Sequence, residues 1–238
     1  MPLQSIEPQR LYRQIAEQLR SLIGAGEFAV GSRLPAEREL AKQLGVSRPS
    51  VREALIALEV EKVVEVRGGS GIYVLKPSAR QPSRKNASAA VEWGPLELMR
   101  ARELVESEVA ALAARNAKKA DLQQMEHALQ LMRDEIAQGR IPRDGDEAFH
   151  SAIAQSCGNH VLRDTISTYW QARHGTLFER LGDHFEDDVS WEAALIEHAA
   201  VLEAIRARNA LAARSAMRIH LKNAHKRYSA SWRRAKPS

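Results

Sequence analysis

Residues 30–75 read VGSRLPAERELAKQLGVSRPSVREALIALEVEKVVEVRGGSGIYVL, and this stretch decides the fold class. From Ala36 to Leu44, the side chains of Leu40, Ala41 and Leu44 fall on one helical face, and Gly45 ends the run where a left-handed cap is needed. Ser47 stands where an N-cap hydroxyl satisfies a free amide of the next helix. Pro49 is tolerated in a first turn, whose amides lack intrahelical partners. From Arg48 onward, Val51, Ala54, Leu55 and Leu58 form the apolar stripe, which leaves Arg48, Ser50, Arg52 and Glu53 on the opposite face. Two short helices joined by a glycine turn make a helix-turn-helix, whose second helix presents its N-terminus to the major groove. Those four side chains are therefore expected to face DNA.

Two β-rich runs follow, Val63–Val66 and Ile72–Leu75, around Arg67-Gly68-Gly69-Ser70-Gly71. Three glycines in these five residues suit a hairpin tip whose backbone approaches a phosphate or a minor groove, with Arg67 at the tip. Taken alone, the loop reads equally well as a plain turn with a solvated arginine. Directly after a helix-turn-helix, it reads as a wing.

Composition agrees with a DNA-binding head joined to a larger unit. The chain has 238 residues, 44% hydrophobic and 27% charged, enough for one or two cores. Its net charge of +5 is modest, but unevenly spread. Residues 1–90 carry 14 Lys and Arg against 9 Asp and Glu, and residues 91–230 carry 18 against 21. Basic charge thus gathers in the head and in a tail holding Arg233, Arg234 and Lys236, as phosphate neutralisation requires. The single cysteine, Cys157, excludes an intramolecular disulfide and favours a reducing compartment. No signal-like N-terminus and no membrane-length apolar run stand in the sequence, so a cytoplasmic protein is expected.

The expected organisation is a winged head over residues 1–76, a linker over 77–92, a helical unit over 93–232 and a basic tail over 233–238. The linker region KPSARQPSRKNASAA, from Lys76 to Ala90, is hydrophilic and rich in proline, serine and basic residues. Beyond it, helical periodicity predicts one helix after Pro95, a second ending at Gly139, and a third from Pro142 to Gly158. A long fourth is predicted from His160 to Asp183, then two more after an acidic loop. The fold class is therefore mainly α: a winged helix-turn-helix followed by an antiparallel all-α bundle of about six helices.

Within that bundle, Asp146 and His150 lie four residues apart and share one helix face. His198 and His220 fall on the last two helices. One carboxylate and three imidazoles converging between helices would suit Zn²⁺, Ni²⁺ or another divalent ion. Spacing alone leaves the alternative of surface or hydrogen-bonded histidines.

The segment RLPAERELAKQLGVSRPSVREAL with VEVRGGSGIYV resembles the winged helix of the GntR superfamily of bacterial transcription regulators. That resemblance implies DNA contacts from Arg33, Arg38, Arg48, Arg52 and the Arg67-Gly68-Gly69 tip, with Ser47 and Ser50 holding phosphates. Many members carry Thr at one hydroxyl position, so Pro49 and Ser50 leave the base preference open. The pattern D-x-x-F-H, followed by isolated histidines on the last two helices, resembles the ligand-binding (FCD) domain of the FadR-type branch. It implies a metal held by Asp146, His150, His198 and His220, with open positions for a small carboxylate. Arg102, in the run RELVE, matches an effector-facing position; its alternative is an i,i+4 pair with Glu106 on a helix surface. Asn159 is read as a helix cap.

GPLELMRARELVESEVAALAA and SAMRIHLKN further resemble hexuronate-responsive repressors of this branch, which implies a sugar-acid effector, with lactate or citrate as alternatives. A metal and an arginine together suit a carboxylate and its neighbouring hydroxyls. Trp170, Arg173 and Asn223 are further candidate effector contacts. The expected protein is a homodimeric regulator on a pseudo-palindromic operator, released by an acidic ligand. A metal-dependent hydrolase is the rival class. It lacks a placed general base and leaves the winged head unexplained.

Overall fold

The structure is a computed structural model that describes residues 11–67, 70–76, 93–174, 178 and 188–234. The linker at 77–92, the tip glycines Gly68 and Gly69, the acidic loop and the end of the tail lie outside the described residues. The chain divides into two compact units, one built on residues up to Leu96 and the other on Glu97–Ser229.

The first unit opens with a helix not anticipated above, α1 (Leu11–Gly24), followed by α2 (Glu37–Leu44) and α3 (Arg48–Val60). In α1, Tyr12, Ile15, Ala16 and Leu19 are buried at the i, i+3, i+4, i+7 positions of one face, which packs on α3. Gly45 caps α2 at φ 66°, the left-handed region in which a side chain is strained. Ser47 caps α3, accepting the Ser50 amide at 3.3 Å.

The wing is an antiparallel pair, β1 (Val64–Arg67) and β2 (Gly71–Val74), one residue displaced at each end from the predicted runs. Val64 pairs with Val74 and Val66 with Ile72, and these four side chains are buried, as period-two alternation demands. The free edge of β2 is taken by the segment before α2, where Gly31 and Leu34 amides bond Val74 and Ile72 carbonyls and Arg33 bridges Tyr73.

Glu53 corrects an expectation. It is only 6% exposed, so it does not join Arg48 and Arg52 on the open face. Helix α3 is packed by α1, α2 and β1 together, and its buried arc is wider than the single stripe read from its sequence.

In its described residues the second unit is helical: α4 (Pro95–Asn116), α5 (Lys119–Ala137), α6 (Arg143–Ser156), α7 (His160–Arg173), α8 (Asp188–Arg206) and α9 (Ala210–Arg234). The expected long fourth helix stops at Arg173, with His174 as its C-cap and Gly175, a poor helix former, next in sequence. Residues 175–177 and 179–183 of that expectation lie outside the described residues, and Phe178 is buried. Asn159 caps α7 by accepting the Leu162 amide at 3.2 Å. No described helix is long and apolar enough to cross a membrane.

The core joins Val109, Ala113, Met125, Met132, Phe149, Ile153, Val201 and Met217 from five of these helices. Helix α4 is buried on more than one face: Leu98, Met99, Arg102, Glu106, Val109 and Ala110 are all inside. Helix α6 sits close on α5 because residue 145 is glycine. A Cβ there would lie 2.5 Å from Met132 Cγ and 2.6 Å from the Met132 backbone nitrogen.

Gly145→Ala is therefore expected to destabilise the helical unit by about 1–3 kcal/mol, because the obstructing atoms include backbone. Urea denaturation followed by far-ultraviolet dichroism checks this. An unchanged midpoint would show that α6 shifts at no cost.

Candidate functional site

Asp146 follows the close α5–α6 contact at Gly145, and one turn later α6 presents His150. His198 comes from α8 and His220 from α9. All four are buried, and each offers a ligand atom lying within 4.8 Å of those of the other three. Asp146 Oδ1 is 3.0 Å from His198 Nε2 and 3.6 Å from His150 Nε2, and the two Nε2 atoms are 3.2 Å apart.

The outer nitrogens of the rings decide what this cluster can do. His198 Nδ1 lies 2.7 Å from the Ala194 carbonyl, which can only accept, so the nitrogen donates. His150 Nδ1–H donates to Glu106, and His220 Nδ1–H donates to Glu197 at 2.9 Å. With the proton of each neutral ring spent outward, every Nε2 turns a lone pair inward toward the Asp146 carboxylate. Four acceptors facing one another in a dry interior repel, and a cation among them removes that repulsion. Outward hydrogen bonds that fix the tautomer and orientation of metal-binding histidines are the usual outer shell of such centres. The donor set of three imidazole nitrogens and one carboxylate therefore fits a divalent metal, and it does not distinguish zinc from nickel.

Electrostatics keeps these groups in the required states. Burial would raise the Glu106 carboxyl, but Arg102 and His150 outweigh it and hold it at about 2. Burial acts likewise on Glu197, and its hydrogen bonds from His220, Arg227 and Asn223 bring it to about 2. Asp146 is held well below the usual carboxylate range: burial opposes ionisation, but the Arg173 guanidinium bonded to its Oδ2 favours it. Burial pushes His150 down against the pull of Glu106. Burial and the neighbouring His198 push His220 down to about 3, despite Glu197.

Glu106 and Glu197 are the residues that sequence reading missed as site components. Glu106 takes Arg102 Nε at 2.5 Å as well as His150, so the expected i,i+4 pair exists, but in the interior rather than on a helix surface. Arg102 itself is 1% exposed, and among the described residues its NH1 meets only the Met99 sulfur, at 3.8 Å. Glu197 gathers His220, Asn223 at 2.9 Å and both terminal nitrogens of Arg227 at 3.0 Å.

A cavity of about 30 Å³ adjoins the cluster, lined among others by Met99, Arg102, Asp146, Arg173, Trp191, His220 and Arg227. Two of the four expected effector contacts, Arg102 and Arg173, reach it. Arg173 also bonds Asp146 Oδ2 at 3.0 Å. Trp170 is not among the residues that line it; the Arg102 and Arg173 guanidiniums lie over its ring at 4.5 and 4.4 Å. Asn223 is likewise off the wall, on Glu197.

On the head, Arg38 and Arg48 are exposed at the open face, with Arg52 half-buried beside them. Glu37, also unforeseen, receives Arg52 through two bonds of 2.9 Å and Arg48 at 3.4 Å. Ser47 and Ser50 hydroxyls bond each other at 2.8 Å next to the cap. Arg67 lies over the Tyr73 ring at 4.4 Å, and exposed Arg33 stands on the other edge of β2. Gly68 and Gly69 lie outside the described residues.

The site's protonation states give a stability profile. Glu106, Asp146, Glu197, His150 and His220 all bind a proton less readily folded than unfolded, so acid favours the unfolded chain. The histidine contribution is present above the unfolded value of about 6.5 and fades below it, and the carboxylate contribution fades below about 4.5. Melting of the metal-free helical unit is expected to fall steadily from about pH 7 to about pH 4. Calorimetry in chelator checks this; a flat profile would mean that these groups are not buried in these states.

The pattern of the bacterial regulatory proteins of the gntR family matches residues 11–74, and that of the FCD domain matches residues 97–223. The Uxu operon transcriptional regulator of Escherichia coli (strain K12) is 39% identical over 223 residues, covering 92% of this chain and 87% of that protein. The Exu regulon transcriptional regulator of the same strain is 37% identical over 221 residues, covering 91% and 84%. The solved structure of E. coli McbR/YncC aligns over 94% of this chain and 99% of its own, with a TM-score of 0.50 at 21% identity, a likeness of fold. The winged head, the FCD bundle and its metal-compatible centre thus identify the chain as a member of the gntR family, a ligand-responsive DNA-binding transcription regulator and not an enzyme.

Proposed function

We propose that this regulator is a cytoplasmic homodimer that represses sugar-acid catabolism genes and leaves its operator when a hexuronate or related acid binds the helical unit. The observation that carries the effector site is the inward convergence of three imidazole lone pairs and one carboxylate beside a cavity walled by guanidinium groups. Asp146, His150, His198 and His220 would hold a divalent ion, most simply zinc, which supplies a Lewis-acidic point for a carboxylate. The resemblance to hexuronate-responsive repressors and the identity with Uxu and Exu regulators support the sugar-acid class.

The residues of the chain then do the recognising. Arg102 has a guanidinium nitrogen that, among the described residues, meets only a thioether sulfur, so an anionic oxygen improves on that partner. The cavity has room for a water or two, so admitting a sugar acid moves its wall. Arg173, bonded to Asp146, is the arginine that an incoming carboxylate competes for, and releasing that bond loosens α7 from α6. In a dimer, two heads grip two half-sites of a pseudo-palindrome. A ligand that disfavours their simultaneous grip lowers affinity by orders of magnitude without altering either head. Coupling of roughly 1–3 kcal/mol is the ordinary size of such an effect.

On DNA, Arg38, Arg48, Arg52, Arg67 and Arg33 supply the contacts, with Ser47, Ser50 and the Gly68-Gly69 backbone at phosphates. Arg52→Ala is expected to weaken operator binding by about 1–3 kcal/mol, as for a lost base contact, with metal content unchanged. Equal loss on operator and random DNA, measured by fluorescence anisotropy, would make Arg52 a phosphate contact instead.

The effector test is a thermal-shift screen of metal-analysed protein against hexuronates, aldarates, aldonates, lactate and citrate. Stabilisation by one sugar acid, lost in Arg102→Ala and His220→Ala, is expected. Stabilisation by lactate or citrate alone would overturn the sugar-acid class and keep the regulator.

A further inference from the structure

Nearly every polar group around the cavity already has a partner. The exception on its wall is Trp191, in the first turn of α8. Its side chain is buried, 7% exposed, and its indole Nε1 has no hydrogen-bond partner among the described residues. A buried indole N–H normally finds an acceptor, and leaving it without one incurs the full loss of its hydration. The indole N–H of Trp170 is also without an acceptor among the described residues, but Trp170 packs against two guanidiniums and does not line the cavity.

The wall's composition says what the missing acceptor belongs to. Arg102, Arg173 and Arg227 are donors only, and Asp146 and His220 have partners within the site. Ser190 adds one hydroxyl, which already has a partner, and Met99, Ala194, Leu221 and Ala224 make the rest of the surface apolar. Such a wall takes a molecule rich in oxygen acceptors that also presents a carbon face, which is the chemistry of a sugar acid.

We infer that Trp191 is an effector-contacting residue whose Nε1–H donates to an oxygen of the bound acid. This rests on the sugar-acid reading above and adds a specificity determinant to it. A plain short carboxylate spends its oxygens on the cationic groups. A polyhydroxylated acid has acceptors left over, and Trp191 rewards them.

The test compares wild type with Trp191→Phe, which keeps an aromatic wall and deletes only the donor. Metal-analysed full-length protein is titrated calorimetrically with galacturonate and with glucuronate. The variant is expected to bind the preferred acid roughly tenfold more weakly, the size of one hydrogen bond to a charged or strongly polar oxygen. Equal affinity in both proteins overturns the role of Trp191 and leaves the sugar-acid reading standing. Failure of wild type to bind either acid overturns the hexuronate assignment together with the role of Trp191, and is recognised because wild type itself is silent.

A second measurement covers a variant that folds poorly. The sequence has four tryptophans, so ¹⁵N-indole labelling gives four side-chain signals, and Trp191 is assigned by replacing Trp93, Trp170 and Trp232 with Phe in turn. Its Nε1–H signal is expected to move downfield as the acid saturates wild type. An unmoved Trp191 signal in the acid-bound protein overturns the inference.

Discussion

The helical unit is organised around a constraint on protons: three buried imidazoles must each keep their single proton on the outer nitrogen. The Ala194 carbonyl enforces this for His198, Glu106 for His150 and Glu197 for His220. If one ring reversed its tautomer, its N–H would face the other ligands and a lone pair would face a carboxylate or carbonyl. The outer shell is therefore as necessary to the centre as the four inner atoms. It also explains the arginines: Arg102 keeps Glu106 ionised in the interior, and Arg227 does the same for Glu197, so each acceptor remains an acceptor.

Much of the tertiary structure serves that convergence. Helix α4 is buried on more than one face so that Arg102 and Glu106 can stand behind His150. Gly145 lets α6 rest on the backbone of α5, which sets the depth of Asp146 one residue later. Phe149, buried between the two ligands of α6, meets the His198 ring edge-on at 4.9 Å and so limits its rotation. Packing and polar order are here two descriptions of the same contacts.

Local features were legible in the sequence. The Gly45 cap, the Ser47 cap, the paired strands and the Asp146–His150 spacing are each set by residues within one turn or one hairpin of each other. The six helices of the second unit followed from periodicity. Less was visible where partners are distant: Glu106 is 44 positions from His150 and Glu197 is 23 from His220, and no spacing rule marks such pairs. Helix α1 is a different case, because Tyr12, Ile15, Ala16 and Leu19 carry a full amphipathic signature. Leaving α1 out narrowed the expected buried arc of α3, and so set Glu53 on the DNA face. Arg102 was expected near an effector from the family pattern and Arg173 as a further candidate contact, but their common approach to the Trp170 ring arises only when α4 and α7 meet.

The charges of the centre explain why a regulator would tie acid sensing to a metal. Glu106, Asp146 and Glu197 are ionised, Arg102, Arg173 and Arg227 stand against them, and the imidazoles are neutral. The polar core therefore balances close to zero, which suits a dry interior and gives a free anion little reason to enter. A divalent cation among the four ligands would leave the core with a net charge of two, at a point beside a donor-lined cavity. An acid then gains what the cation lacks, and each lowers the cost of holding the other. Linkage makes that help reciprocal: whatever factor the metal contributes to acid affinity, the acid returns to metal affinity. If, as proposed, those arginines also bond an entering acid, occupancy of the cavity redistributes contacts among α4, α6, α7 and α9. A sensor built on a balanced core thus responds by rearranging ion pairs between helices, and that rearrangement is what a DNA-binding head can be coupled to.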